Sequence, residues 1–530
     1  MKRKRITITL ASMAIGLSAV LAGCSNQAPG SSNAGGNSSG SGAAAAGVIK
    51  VGLDVDAENL DPRLSTNTTD QRVEDLVYEG LVRLDSKLNP EPDLATSWSN
   101  PNPTTWIFHL RQGVKFQDGT PLTAEDVKYT YESEINPSTK APYASLYQPI
   151  KTIKILNNST IEFDLSEPYA PLLSYMTLGI VPEHIATKSG DPLQTHPVGT
   201  GPYKFVSWTK NSKIVLQANS NYWAGAPKTN EIDYDIIPDN STRAAALESG
   251  GVDLVQSPLS PQDVTRIEKE SQYVVDQTTG LGFDYLNFNF KNQFLKDPKV
   301  REAIASLIDK QSITSSIYQG LDTPGVSVLL PNSWAYTSST PQYNYDPAKA
   351  KQLLESDGWT LGSDGVFEKN GQKLTITLST HSEDPNRVQT VQYLQNVLQQ
   401  NGIQTKVSIA PWATFQSNLI AGKYDIALLG WLNLVDPDRA MYTQFYTGGT
   451  NNWGSYSNPQ VDKLLSEGRA VQQQTQRAAI YQQAAALINK DVAYDVIGYQ
   501  KYVVMYTKNL TGFQYNPSGS LYGLWKAELK

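Results

Sequence analysis

The chain has 530 residues, 39% of them hydrophobic, a formal net charge of −7, one cysteine and four histidines. Removing the four basic residues of 1–23, a segment without acids, takes the charge to −11. That balance argues against nucleic acid as a partner, since such surfaces concentrate positive charge, and a single thiol excludes an intrachain disulfide.

Lys2, Arg3, Lys4 and Arg5 precede residues 6–21, which carry no charge, and small residues then lead to Cys24. These are the basic, apolar and small-residue parts of a secretory signal in order. Leu21-Ala22-Gly23-Cys24 resembles the bacterial lipobox, so lipidation is expected at Cys24. Each buried acyl methylene contributes roughly 0.8 kcal/mol. The expected location is the outer face of the cytoplasmic membrane, extracellular in a Gram-positive cell and periplasmic in a Gram-negative one. No later stretch reaches the ~18 apolar residues of a membrane-spanning helix. Residues 25–47, rich in Ser, Gly, Asn and Ala, read as a flexible tether. Their Gly36-Asn37-Ser38-Ser39-Gly40 matches the Gly-x-Ser-x-Gly of hydrolases, but that motif needs a strand before it and a helix after it.

From Val48 onward the chain is long enough for two or more domains. Trp106, Phe108 and Leu110 alternate, as do Ile161, Phe163 and Leu165, and Ile214 and Leu216, which predicts a mostly antiparallel region. Between them Thr123, with Asp126 three residues on, opens a helix. Asp297-Pro298 and Asp346-Pro347 predict helix starts, and Gly358 and Gly402 helix stops. Then "KLTITLST", "NRVQTVQYLQNVLQQNG", "IQTKVSIA", "TFQSNLIAG" and "YDIALLGW" alternate strand and helix periodicity. Such alternation predicts a parallel sheet with right-handed crossovers. Ligands of such sheets bind outside the carboxyl ends of the strands, which here means His381-Ser382, Pro411-Trp412 and residues 431–439. An imidazole, two indoles, two carboxylates and a guanidinium suit a polar organic ligand with some apolar bulk.

A search for catalysis finds little. His109, His184, His196 and His381 form no zincin-type pair, and His109 lies in an alternating strand, where a structural role is expected. Asp54, Asp56 and Glu58 start like a calcium loop, but Asn59 and Ser65 stand where glycine and glutamate are required. No phosphate loop or dinucleotide glycine pattern occurs. The expectation is no enzyme, no catalytic residue, no metal site and no cofactor. A secreted hydrolase with a spatially assembled triad stays as an alternative.

Pro197-Val198-Gly199-Thr200-Gly201-Pro202-Tyr203, then Trp208 and Asn221-Tyr222-Trp223, resembles the peptide/nickel class, family 5, of solute-binding proteins of ABC importers. So do "LDPR" at 60–63, "VYEGLVRLD" at 77–85, "VKFQDGTPLTAEDVKYTYE" at 114–132, "DPKVREAIASLIDK" at 297–310, "DPAKAKQLLESDGW" at 346–359 and "YDIALLGW" at 424–431. Gly199, Gly201 and Pro202 themselves read as turn formers.

The resemblance implies an α/β, two-lobed periplasmic-binding-protein-like fold (class II, cluster C) with an extra subdomain in lobe one. The implied division is a signal peptide at 1–23, lipidated cysteine and tether at 24–47, and lobe one at 48–288 with its subdomain at about 95–225. Lobe two follows at 289–498, and 499–530 returns to lobe one. Hinges are expected near 285–290 and 494–506. The implied activity is capture of an oligopeptide or dipeptide by a monomer and delivery to an ABC permease with its ATPase subunits. Ligand main chain would pair with Thr66-Asn67-Thr68 and with Gly430-Trp431-Leu432, beside Tyr143, which matches a pocket tyrosine of oligopeptide binders. Trp412 and Trp453 are further candidates, with His381 from the strand-end reading. Peptide binders carry an amine-anchoring aspartate just after the Gly-Trp strand, where this chain has Asn433-Leu434-Val435. Asp436 or Asp438 either takes over that role or caps the next helix. Arg439 binds a ligand carboxylate or forms a structural ion pair. An oligosaccharide, opine, glutathione or nickel chelate is the alternative ligand, and a permease-free peptide sensor the alternative role.

Overall fold

Proline following a capping side chain starts six helices among the described residues, 47–188, 190 and 192–530 of a computed structural model. The expected signal peptide, Cys24 and nearly all of the tether lie outside these residues. Asp297 accepts from Lys299 N at 2.9 Å to open Pro298–Ser306, and Asp346 accepts from Lys349 N at 2.9 Å to open Pro347–Ser356. Proline fits the first helical position because it has no N–H to leave unpaired. Gly358 and Gly402, at φ +87° and +81°, follow Pro347–Ser356 and Pro385–Gln400 in the left-handed conformation that ends a helix.

An eleven-stranded sheet organises the rest. At one end Gln404–Ala410, Thr375–His381 and Ile426–Trp431 lie side by side and parallel, with helices Pro385–Gln400 and Trp412–Ile420 as crossovers. That is the arrangement the alternating periodicities predict. At the other end Leu254–Gln256, Val48–Leu53 and Glu231–Ile236 run parallel, followed by antiparallel Lys213–Ala218 and Tyr203–Thr209.

Two long strands, Tyr273–Phe288 and Tyr494–Thr507, join these ends. They pair antiparallel from Tyr273↔Thr507 to Asn287↔Tyr494, with register shifts between Thr279 and Phe283 and between Asp284 and Tyr285. Gly280 and Gly282 sit at the first shift, where a Cβ on Gly282 would come within 2.8 Å of the Trp431 carbonyl. A bulge bends a strand and increases its local twist, so the irregularity falls where the sheet passes from one end to the other.

Each end carries its own core. Ile49, Val51, Leu216, Ile232 and Tyr234 are buried at one, and Leu286, Ile376, Leu378, Leu394 and Leu428 at the other. A separate four-stranded antiparallel sheet, Ala95–Asn102, Thr105–Leu110, Thr160–Leu165 and Ile150–Asn157 in spatial order, packs on helix Ala124–Ile135. Its alternating Trp106, Phe108, Ile161 and Phe163 face inward, and Phe163 meets Tyr131 edge to face at 5.3 Å. Fully burying a side chain of this size contributes about 1.5–3 kcal/mol. Among the described residues no helix is long and apolar enough to cross a membrane.

Candidate functional site

The Gly-rich stretch at 199–201 shapes the site from behind. Gly201 N donates to Val77 O at 2.9 Å, and a Cβ on Gly201 would come within 2.6 Å of the Leu76 carbonyl, so only glycine lets this bend abut the end of helix Thr68–Val77. Gln117 ties the junction, donating to Val77 O at 2.9 Å and Tyr203 O at 2.7 Å. The result holds Glu79 in place. Its carboxylate accepts from Thr200 at 2.8 Å, from Tyr222 at 2.6 Å and from Trp223 Nε1 at 2.9 Å. Burial pushes this carboxyl up, and the three donors pull it back.

In front of Glu79 opens a cleft of about 980 Å³, lined from both ends of the sheet. One side brings Ser65, Glu74 and Tyr78 of the N-terminal region, and the other Tyr318, Leu432 and Arg439; the long strands contribute Asp284 and Gln500. Asp284 is buried and fully engaged, accepting from Arg387 Nη2 at 2.7 Å, Tyr318 at 2.6 Å and Gln500 at 3.1 Å. Asp322 beside it keeps one buried oxygen without a hydrogen-bond partner. Burial first, then the Asp284 charge, pushes its carboxyl well up.

Of the residues expected from the sequence, Thr68, Tyr143, Leu432, Asn433 and Arg439 line this cleft. The Arg439 guanidinium carbon lies 5.4 Å from the Tyr143 ring centroid. Its Nε is buried without a hydrogen-bond partner. Asn433, in the place where peptide binders have aspartate, adopts φ +59°, a left-handed turn that asparagine tolerates.

Other expected positions lie elsewhere. Asp436 is completely buried, held by Arg477 Nη2 at 2.8 Å and Nη1 at 3.0 Å, and caps helix Pro437–Phe445 by accepting from Asp438 N at 2.9 Å. Asp438 faces Arg469 Nε at 3.3 Å, and burial raises its carboxyl to about 6. Neither lines the cleft; of the two readings, anchoring the ligand amine or capping the next helix, Asp436 shows the cap, and both carboxylates sit in ion pairs. Asn67 caps helix Thr68–Val77 by accepting from Asp70 N at 2.8 Å, and Thr66 is exposed beside it. His381 Nε2 meets Arg387 Nη1 at 2.9 Å and Nδ1 meets Glu383 at 3.1 Å, while Trp412 stands against its ring at 5.3 Å. These two form a cluster at the strand ends apart from the cleft lining. Gly430 is pressed against Arg387 and Asp284, and Trp431 packs against Trp453 at 6.3 Å on the hydrophobic core. Reading strand ends alone misses the carboxylates of the opposite side, Glu74 and Glu134, both buried and both lining the cleft.

The sequence profile described as bacterial extracellular solute-binding proteins, family 5 Middle, matches residues 89–453. The oligopeptide-binding protein AppA of Bacillus subtilis is 28% identical over 544 residues, covering 99% of each chain. The structure of the Bacillus subtilis AppA in complex with a nonapeptide superposes with a TM-score of 0.76 at 27% identity, covering 92% of this chain and 99% of that one. NikZ from Campylobacter jejuni in complex with Ni(L-His) gives 0.77 at 27% identity, covering 91% and 99%.

Proposed function

The chain belongs to the bacterial extracellular solute-binding proteins of family 5, and from that premise we propose that it is a lipid-anchored receptor that captures a short peptide and passes it to an ABC permease. It has the two-lobed α/β fold of its relatives, which are substrate-binding proteins and not enzymes. The observation that carries the peptide reading is the Arg439–Tyr143 pair in the cleft, a cation without a hydrogen-bond partner at Nε beside an aromatic wall. In a partly dry cleft, a guanidinium binds a carboxylate with two charge-assisted hydrogen bonds, and every linear peptide ends in one. One relative's name supports the same ligand class: oligopeptides for AppA of Bacillus subtilis, with a nonapeptide in its structure.

Mechanistically, the lobes meet in the long strands Tyr273–Phe288 and Tyr494–Thr507, whose shifted register provides the bending point. Ligand contacts made by both lobes favour the closed form over the open one, because only the closed form makes all of them. The thiol of Cys24 anchors the chain through the tether, so the closed, loaded domain stays near its permease. In the wild-type protein, thermal shift against di- to pentapeptides, cello- and xylo-oligosaccharides and nickel–histidine tests the ligand. Stabilisation by peptides is expected; stabilisation by sugars alone would overturn the assignment.

A further inference from the structure

Glu74 and Glu134 line the cleft at 8% and 1% exposure. Each keeps one buried oxygen without a hydrogen-bond partner, Oε1 of Glu74 and Oε2 of Glu134. Both sit within reach of the Asp61 charge. The cation whose charge reaches Glu134 is Arg63, and Arg63 is held elsewhere: Nε donates to Asp61 at 2.9 Å and Nη1 to Ser133 at 3.2 Å. Ser65 donates to the second oxygen of Glu74 at 3.0 Å, which fixes that carboxylate and leaves its partner oxygen bare. The hydroxyl of Tyr131 nearby is also buried without a partner.

Buried carboxylates without a cation are costly, and such groups hold protons instead. Burial raises Glu134 to about 8, helped by Asp61 and opposed by Arg63. Burial raises Glu74 well above the carboxylate range, helped by Asp70, Asp61 and Asp75 and opposed by Ser65. The other ionisable side chains facing Glu134 are Tyr131 and Tyr147, and Tyr78 faces Glu74. A positively charged ligand group arriving here would replace a proton, pair with the carboxylate it meets and have a tyrosine ring beside it.

We propose that Glu74 and Glu134 form a cation-selecting subsite in the cleft wall, which takes the ammonium or guanidinium group of a ligand side chain. The proposal rests on the peptide reading, and makes the protein a receptor that prefers basic peptides. It places a positive ligand group on the lobe-one side, while Arg439 takes a negative one.

Calorimetry on the wild-type protein at pH 7, in phosphate and in Tris, tests it with tetrapeptides that differ at one lysine, arginine or norleucine and in N-acetylation. The lysine and arginine peptides are expected to bind at least about tenfold tighter than the norleucine peptide, the worth of a charge-assisted hydrogen bond. A loss of affinity on N-acetylation with none on replacing lysine or arginine by norleucine would overturn the side-chain subsite. Binding of the charged peptides alone is expected to release protons, seen as a heat that depends on the buffer. In Glu74→Gln and Glu134→Gln the charged peptides lose more affinity than the neutral ones. If neutral and basic peptides bind equally and without proton release, the subsite is wrong and the peptide reading stands. If no peptide binds at all, the peptide reading fails and the subsite with it.

Discussion

Asp436 and Arg477 grip each other through two contacts, at 2.8 and 3.0 Å, with the carboxylate sealed from solvent. Ser174 adds a third donor to the same carboxylate at 3.3 Å. Removing one partner of such a pair strands a buried charge, at a cost of about 3–5 kcal/mol. Asp436→Asn is therefore expected to lower the denaturation midpoint of the ligand-free protein. Full stability with weakened peptide binding would return Asp436 to the ligand.

Arg439 is expected to act on the ligand's acidic end. Arg439→Ala should weaken a free-carboxylate peptide by about 1.5–3 kcal/mol and its C-terminal amide far less. Titration calorimetry of both peptides against both proteins measures the coupling; equal losses would mean that Arg439 only packs on Tyr143.

Glu134 should make stability fall as pH rises. Its carboxyl is raised from 4.5 to about 8 by burial, so the native state holds the proton more tightly than the unfolded chain. The stabilisation is complete below pH 4.5 and is lost as pH climbs through about 8. Glu134→Gln stays neutral, and should gain on the wild type by on the order of 2 kcal/mol between pH 5 and 8.5 in urea melts. A pH-independent difference would contradict the assignment.

Gly430→Ala should destabilise by about 1–3 kcal/mol, because the added Cβ overlaps Arg387 Nη2 and approaches Asp284 Oδ1 at 2.7 Å. Thermal melts at neutral pH read it. An unchanged midpoint would show that the Arg387–Asp284 pair, 2.7 Å apart, moves aside freely.

Much of this architecture was legible in local pattern. The three parallel strands ending at His381, Ala410 and Trp431 follow from short strand-like stretches alternating with stretches of helical period along the chain. The capping prolines announce helix starts by the same local logic. Distant partners were not legible. Asp436 read as a ligand anchor or a cap because Arg477, 41 residues away on Gln474–Lys490, gives no local sign of its proximity. His381 and Trp412 do lie at strand ends, yet the cleft is lined further along the fold. Glu134 did leave a trace, since Val127, Tyr131 and Glu134 occupy one buried stripe of Ala124–Ile135. An acid on an apolar stripe is a buried charge looking for a reason.

The central claim is closure around a peptide, and a distance measurement tests it most directly. Spin labels at Leu156→Cys and Ile420→Cys, both exposed, in a Cys24→Ser background report the separation of the lobes. Saturating tetrapeptide is predicted to shorten and narrow the distance distribution. An identical distribution with and without bound peptide would contradict it.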